Sequence, residues 1–132
     1  MRRTRVKICG LTNLSDARWA WQCGANLLGF ILVQASPRCI AKSEIREIIA
    51  TLRQERCECK MVGVFAGQPV EEVRSAVDTI GLDLAQLHGG ESASYVRELA
   101  RAAIVARRVR RQVPWDELLS FILMIVDDEV FW

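Results

Sequence analysis

The chain has 132 residues, about half of them apolar, and 18 basic against 16 acidic side chains, for a net charge of +2. That is material for one domain with a real core, and so small a charge does not imply a general affinity for nucleic acid or membranes, which makes a small molecule the expected partner. Five cysteines (Cys9, Cys23, Cys39, Cys57, Cys59) fit neither a disulfide framework nor the Cys-x-x-Cys pairs of zinc or redox sites, and suit a reducing cytoplasm.

The basic start, Met1 to Arg5, runs into a strand with no apolar stretch of signal-peptide length. The first strand is predicted over Arg5–Cys9, followed by a glycine turn at Gly10. Asn13, Ser15 or Asp16 can then cap a helix with Ala17, Ala20 and Trp21 on its apolar side, stopping at Gly24. The second strand is predicted over Leu27–Leu32, and the Ser36-Pro37-Arg38 loop follows it. Ser43 is expected to cap the next helix, whose Ile45, Ile48, Ile49 and Leu52 share one face. A third strand over Met61–Phe65 leads to a helix opened by Pro69, with Val70, Val73 and Val77 inward and Gly81 beyond its end. The fourth strand, Leu82–Leu87, ends at His88, and Ser92 starts a helix with Tyr95, Val96 and Leu99 on one side. A fifth strand over Ala103–Ala106, a brief helix over Pro114–Leu119 and a sixth strand over Phe121–Val126 complete the pattern. That last run is far shorter than the ~20 residues that span a bilayer, so it reads as a buried strand.

Short, nearly continuous apolar strands alternating with amphipathic helices specify an α/β fold with a parallel sheet, in strand-helix units compatible with a (β/α) barrel. No linker or low-complexity segment divides the chain, so 1–132 is expected to be a single domain.

Four residues end or follow predicted strands and are candidates for chemistry. Free cysteine is commonly inert core, but Cys9 sits where a strand yields to a glycine turn and a helix N-terminus, a place that favours a thiolate. Arg38, by default a solvated loop charge, follows a stiffening Pro37 and could present its guanidinium to a carboxylate. His88, the single histidine, is either a satisfied strand-end residue or a ligand contact beside Gly89-Gly90. Asp127 ends an apolar strand, where barrel enzymes place catalytic groups, or else opens a solvated tail with Asp128 and Glu129. The dense basic run Arg107-Arg108 and Arg110-Arg111 reads as solvent-facing, with Arg107 or Arg108 carried toward the rim. A lone histidine rules out multi-histidine metal sites, and no Gly-x-x-x-x-Gly-Lys-Ser/Thr or Gly-x-Gly-x-x-Gly loop is present, so neither metal nor cofactor is expected.

Together, Val6-Lys7-Ile8-Cys9-Gly10-Leu11-Thr12-Asn13, Gly24-Ala25 before Leu28-Gly29-Phe30-Ile31, Ser36-Pro37-Arg38, Val62-Gly63-Val64-Phe65 and Gln86-Leu87-His88-Gly89 resemble phosphoribosylanthranilate isomerase of tryptophan biosynthesis, from about Val6 to Leu99 and more faintly through Asp127. The resemblance implies a TIM-type (β/α)₈ barrel and a cofactor-free Amadori-type aldose-to-ketose isomerisation of N-(5-phosphoribosyl)anthranilate. By that resemblance Cys9 would be the general base, Asp127 (or its neighbour Asp128) the general acid, Arg38 the holder of the anthranilate carboxylate, and His88 a pocket residue. Burial should then keep the acid protonated while a positive field keeps the base ionised.

Six of eight strand-helix units are found, so the barrel is expected to be incomplete. The glycine-rich loops that bind the substrate phosphate in the family have no counterpart, and the chain by itself is expected not to rescue a tryptophan auxotroph. Exposed sheet edges would favour homo-oligomers. Two other readings are a non-catalytic remnant serving as an oligomerising or ligand-binding module, and a cysteine hydrolase built on Cys9 and His88, for which no third orienting group is evident.

Overall fold

The computed structural model describes residues 4–108, together with Pro114 and Asp116. The predicted sixth strand, most of the brief fifth helix, and Asp127 and Asp128 lie outside the described residues. Within them the elements alternate as β1 (Lys7–Cys9), α1 (Leu14–Gln22), β2 (Leu27–Ile31), α2 (Lys42–Gln54), β3 (Lys60–Phe65), α3 (Val70–Ile80), β4 (Leu84–Leu87), α4 (Ala93–Leu99) and β5 (Ala103–Val105). All five strands pair in parallel in the order β1-β2-β3-β4-β5. A parallel sheet whose neighbours are consecutive in the chain, joined by right-handed crossovers, puts every helix on the same face. The contacts of α1 with α2, α2 with α3 and α3 with α4 follow from that placement. Among the described residues the sheet does not close on itself.

The strand register sorts side chains between two faces, since paired residues in a parallel ladder point the same way. Leu28, Phe30, Met61, Phe65, Ala85, Leu87 and Ala103 pack under the helices against Ile45, Leu52, Val73, Val77 and Leu99 in one core. Each large aliphatic or aromatic group so buried contributes roughly 1.5–3 kcal/mol. The opposite face carries Lys7, Leu27 and Lys60 in one rank, Cys9, Gly29, Val62 and Leu84 in the next, and Ile31, Val64, Gln86 and Ile104 in the third. This is the face a closed barrel would enclose. Val62, Val64 and Leu84 are buried although they stand apart from the helix-side core.

Three expectations about element ends need correcting. The cap of α2 is Ala41 and not Ser43: Glu44 Oε2 accepts from the Ala41 N–H at 3.0 Å, so Ser43 falls inside the first turn. Pro69 occupies the cap position of α3 just outside the helix, its carbonyl accepting from Glu72 and Val73. Leu82 and Asp83 precede β4, because the Leu82 N–H turns back to the Val77 carbonyl at 3.1 Å over a left-handed Gly81, a Schellman closure that uses the residue predicted to start the strand. Asn13 is the cap of α1, its Oδ1 accepting from Asp16 N at 2.8 Å, and Ser92 caps α4 as expected.

Candidate active site at the carboxyl rim

In a parallel barrel-type sheet, the loops that leave the strand C-termini form the face able to gather chemistry from distant parts of the chain. Three of the four candidate residues lie on that rim. Cys9 ends β1 and is exposed, His88 follows β4 and is exposed, and Arg38 stands in the loop after β2.

Cys9 and Arg38 meet directly. Arg38 Nη1 donates to the Cys9 carbonyl at 3.2 Å, and the Arg38 N–H is turned back onto Ser36 Oγ at 3.2 Å. Gly10 makes this possible. It has a φ of 81°, and a Cβ there would strike the Arg38 guanidinium, so the glycine supplies both the left-handed turn and the room for the arginine. The turn is anchored underneath by the Gly10 and Leu11 N–H groups, which both donate to the Gly29 carbonyl at 3.0 Å.

His88 is held through its backbone, its N–H donating to the Phe65 carbonyl at 2.9 Å. Among the described residues, no hydrogen bond joins its imidazole to Cys9 or Arg38. The Cys-His hydrolase reading therefore has no support in the geometry. Of Arg107 and Arg108, one of which was expected near the rim, Arg107 reaches it and donates to the Glu91 carbonyl at 2.9 Å.

Two residues to which the sequence assigned no role at the site tie the rim loops together. Glu91 is buried, and its carboxylate accepts from Gly67 N at 2.8 Å and from Gly89 N at 2.9 Å, which clamps the loop after β3 to the loop after β4. Gln68 accepts from Ala66 N, donates to the Leu32 carbonyl at 2.9 Å, and its own carbonyl takes the Tyr95 hydroxyl at 2.7 Å. Burial, then the nearby Glu91, Glu72 and Glu98 charges, pushes the Tyr95 phenol up, which keeps it a donor. A carboxylate just before a helix reads in sequence as a solvated charge, so nothing in the pattern signals the Glu91 clamp.

Of the other cysteines, Cys39 shares the loop after β2 with Arg38, and the remaining three lie at the opposite end of the strands. Cys23 caps the end of α1, Cys39 bridges to Ile31, and Cys57 and Cys59 are buried before β3. Burial, then a hydrogen bond with Cys57, pushes the Cys59 thiol up to about 12, so it stays a neutral donor to the Ala25 carbonyl. A cavity of about 500 Å³ opens at the opposite, N-terminal end of the strands, lined by Lys7, Leu27, Lys60, Leu84 and Ile104 among others. Among the described residues no three or more His, Cys, Asp and Glu are grouped as a metal site requires, and no helix is long and apolar enough to cross a membrane.

The family model described as N-(5'-phosphoribosyl)anthranilate isomerase matches residues 6–122. An N-(5'-phosphoribosyl)anthranilate isomerase of Pelobacter propionicus is 37% identical over 117 residues, covering 89% of this chain and 54% of that protein. One from Citrifermentans bemidjiense is 42% identical over 107 residues, covering 81% and 50%. The chain thus spans about half the length of the curated relatives it matches. Among solved structures, the phosphoribosyl anthranilate isomerase of Thermotoga maritima superposes with a TM-score of 0.83 at 30% identity, over 90% of this chain and 58% of that one. A phosphoribosyl anthranilate isomerase in complex with reduced 1-(o-carboxyphenylamino)-1-deoxyribulose 5-phosphate does so with a TM-score of 0.83 at 31% identity, over 90% and 61%.

Proposed function

The chain belongs to the N-(5'-phosphoribosyl)anthranilate isomerase family, and from that premise we propose that it carries the base and carboxylate-binding part of a site for Amadori-type isomerisation of N-(5-phosphoribosyl)anthranilate in tryptophan biosynthesis. In this reading Asp127 protonates the furanose ring oxygen, the C1–O bond breaks, and the nitrogen lone pair forms a C1=N Schiff base. Cys9, as thiolate, takes the proton from C2, and the electron pair shifts to give an enolamine. Tautomerisation places the carbonyl at C2 and leaves the amine on C1. Atoms and electrons balance within the substrate, so the proton transfers require one acid and one base and no redox partner.

The single observation that supports this reading is the 3.2 Å bond from Arg38 to the Cys9 carbonyl. It sets a cation able to grip a carboxylate in two places beside the candidate base. His88, on the same rim, serves as a pocket wall. The ligand of the solved relative has a carboxyphenyl group, an amine and a phosphate, and we take a phosphorylated compound of that class as the partner here. We read residues 1–132 as one partial barrel domain, working in the cytoplasm and self-associating through its sheet edges.

The test is protection. The reduced carboxyphenylamino ketose phosphate should slow alkylation of Cys9 by iodoacetamide in a saturable manner, and Arg38→Ala should weaken that protection about tenfold or more in ligand concentration. Cys9 labelling indifferent to millimolar ligand would overturn the reading.

A further inference from the structure

Lys7 stands two residues before Cys9 on the same strand and so faces the same inner side of the sheet. Beside them on β2, in register with Cys9, is Gly29. A Cβ built on Gly29 would lie 3.0 Å from Cys9 Sγ, 3.0 Å from Lys7 Cε and 3.0 Å from Lys7 Nζ. Two atoms each 3.0 Å from one point are within about 6 Å of each other, so the ammonium leans along the strand, over the bare glycine, toward the thiol.

The electrostatics at the other end of the strands favours that direction. Lys60 occupies the same rank as Lys7, across Leu27. Asp83, the nearby carboxylate, already accepts from Arg53 at 2.6 Å and from Met61 N at 2.6 Å, with Lys60 Nζ 3.9 Å away. Arg5 adds further positive charge to the N-terminal cavity. Among the described residues, no carboxylate lies within ion-pair distance of Lys7. Reaching toward the carboxyl rim takes the ammonium away from this cationic end.

We propose that Lys7 is a positioning residue for the candidate base, its ammonium serving as the internal counter-ion of the Cys9 thiolate, with Gly29 keeping the space in which the two meet. The inference rests on the reading of Cys9 as base and deepens it. The charged groups around the thiol then have separate tasks. Arg38 caps the Cys9 carbonyl from the rim and stays available to a ligand carboxylate, while Lys7 approaches from inside the sheet and favours the ionised sulfur whether or not ligand is bound.

The experiment measures the rate of Cys9 alkylation by iodoacetamide against pH in the ligand-free protein, with peptide mapping to separate Cys9 from the other cysteines. A unit charge at about 6 Å, at effective dielectric constants between 20 and 80, combined with the lower nucleophilicity of a more stabilised thiolate, corresponds to about a two- to tenfold change in rate near neutrality. Lys7→Met, of similar length but uncharged, should slow Cys9 by that factor and move its pH profile to the alkaline side. Lys7→Arg should keep the native profile. Equal profiles for Lys7→Met and native protein, or an Arg variant slowed as much as the Met variant, would overturn the proposal. Should Lys7→Met not fold, the native chain supplies a second measurement: the Lys7 Hε resonances must shift as Cys9 titrates and stay fixed over that range in Cys9→Ser. Neither readout uses ligand or turnover, so a Lys7 effect without ligand protection would sink the isomerase reading alone, and protection without a Lys7 effect would sink the counter-ion alone.

Discussion

Glu91 shows how much of this rim depends on one side chain. Its carboxylate is buried, and its two oxygens satisfy the Gly67 and Gly89 N–H groups in part-buried hydrogen bonds. Glu91→Ala would remove the acceptor of both, at about 0.5–1.5 kcal/mol per hydrogen bond, and should cost about 1–3 kcal/mol in urea unfolding. Glu91→Gln keeps one acceptor oxygen and should cost less. A second residue-scale consequence comes from Cys59, whose thiol rises from the ordinary 9.0 to about 12 in the folded protein. The folded state therefore holds that proton when the unfolded chain has released it. Its contribution is complete below about pH 9 and is lost as the pH climbs toward about 12. The urea midpoint should fall across that alkaline range, and Cys59→Ala should make the fall shallower. Sequence exposed Cys9, Arg38 and His88 as candidates because each ends or follows a recognisable strand, but it had no means to expose the roles of Glu91 or Lys7, which depend on which backbone lies beside them.

At the scale of single elements, helix ends were the least legible part of the chain. Ala100 terminates α4 in the left-handed region, with a φ of 49°, where nothing in the sequence advertises a helix stop. A Cβ in that region carries strain that glycine lacks, so Ala100→Gly should stabilise the protein by about 0.5–1 kcal/mol, seen as a rise in melting temperature. Gly89 lies at a close approach of two loops. A Cβ there would press on the Gly67 nitrogen and on the Glu91 carboxylate, so Gly89→Ala should lower the melting temperature and disorder the same clamp that Glu91→Ala breaks. The two substitutions should be markedly non-additive when combined, because they act on one contact network. The apolar face of α2 was legible in full, since Ile45, Ile48, Ile49 and Leu52 are all buried, whereas on α3 the expected Val73 and Val77 are buried, Val70 is half-buried, and Ala76 and Ile80 join the face unforeseen. Their periodicity is a local property that packing only confirms.

For the molecule as a whole, the consequential feature is a sheet that, among the described residues, ends at β1 on one side and β5 on the other. Edge strands present a row of unpaired backbone groups to any other strand. On β1 the row is accompanied by exposed apolar side chains, with Ile8 at 40% exposure and Val6 just before the strand at 46%. The self-association proposed above should appear in sedimentation equilibrium as a mass that rises with concentration. Ile8→Lys should reduce it without lowering the melting temperature by more than a few degrees. A monomer at every concentration would remove the edge proposal.

The sequence by itself determined the α/β class, the order of five parallel strands and four helices, the inward helix faces and the family, because strand runs, helical periodicity and rim motifs are all written in local patterns. Only the tertiary structure decided which side chains share a neighbourhood: Arg38 on the Cys9 carbonyl, Glu91 between two loops, Lys7 over Gly29 beside the thiol. The reason is physical. Strand register and the space left by a missing side chain are properties of pairs of segments distant in the chain, and a single local pattern carries no record of them.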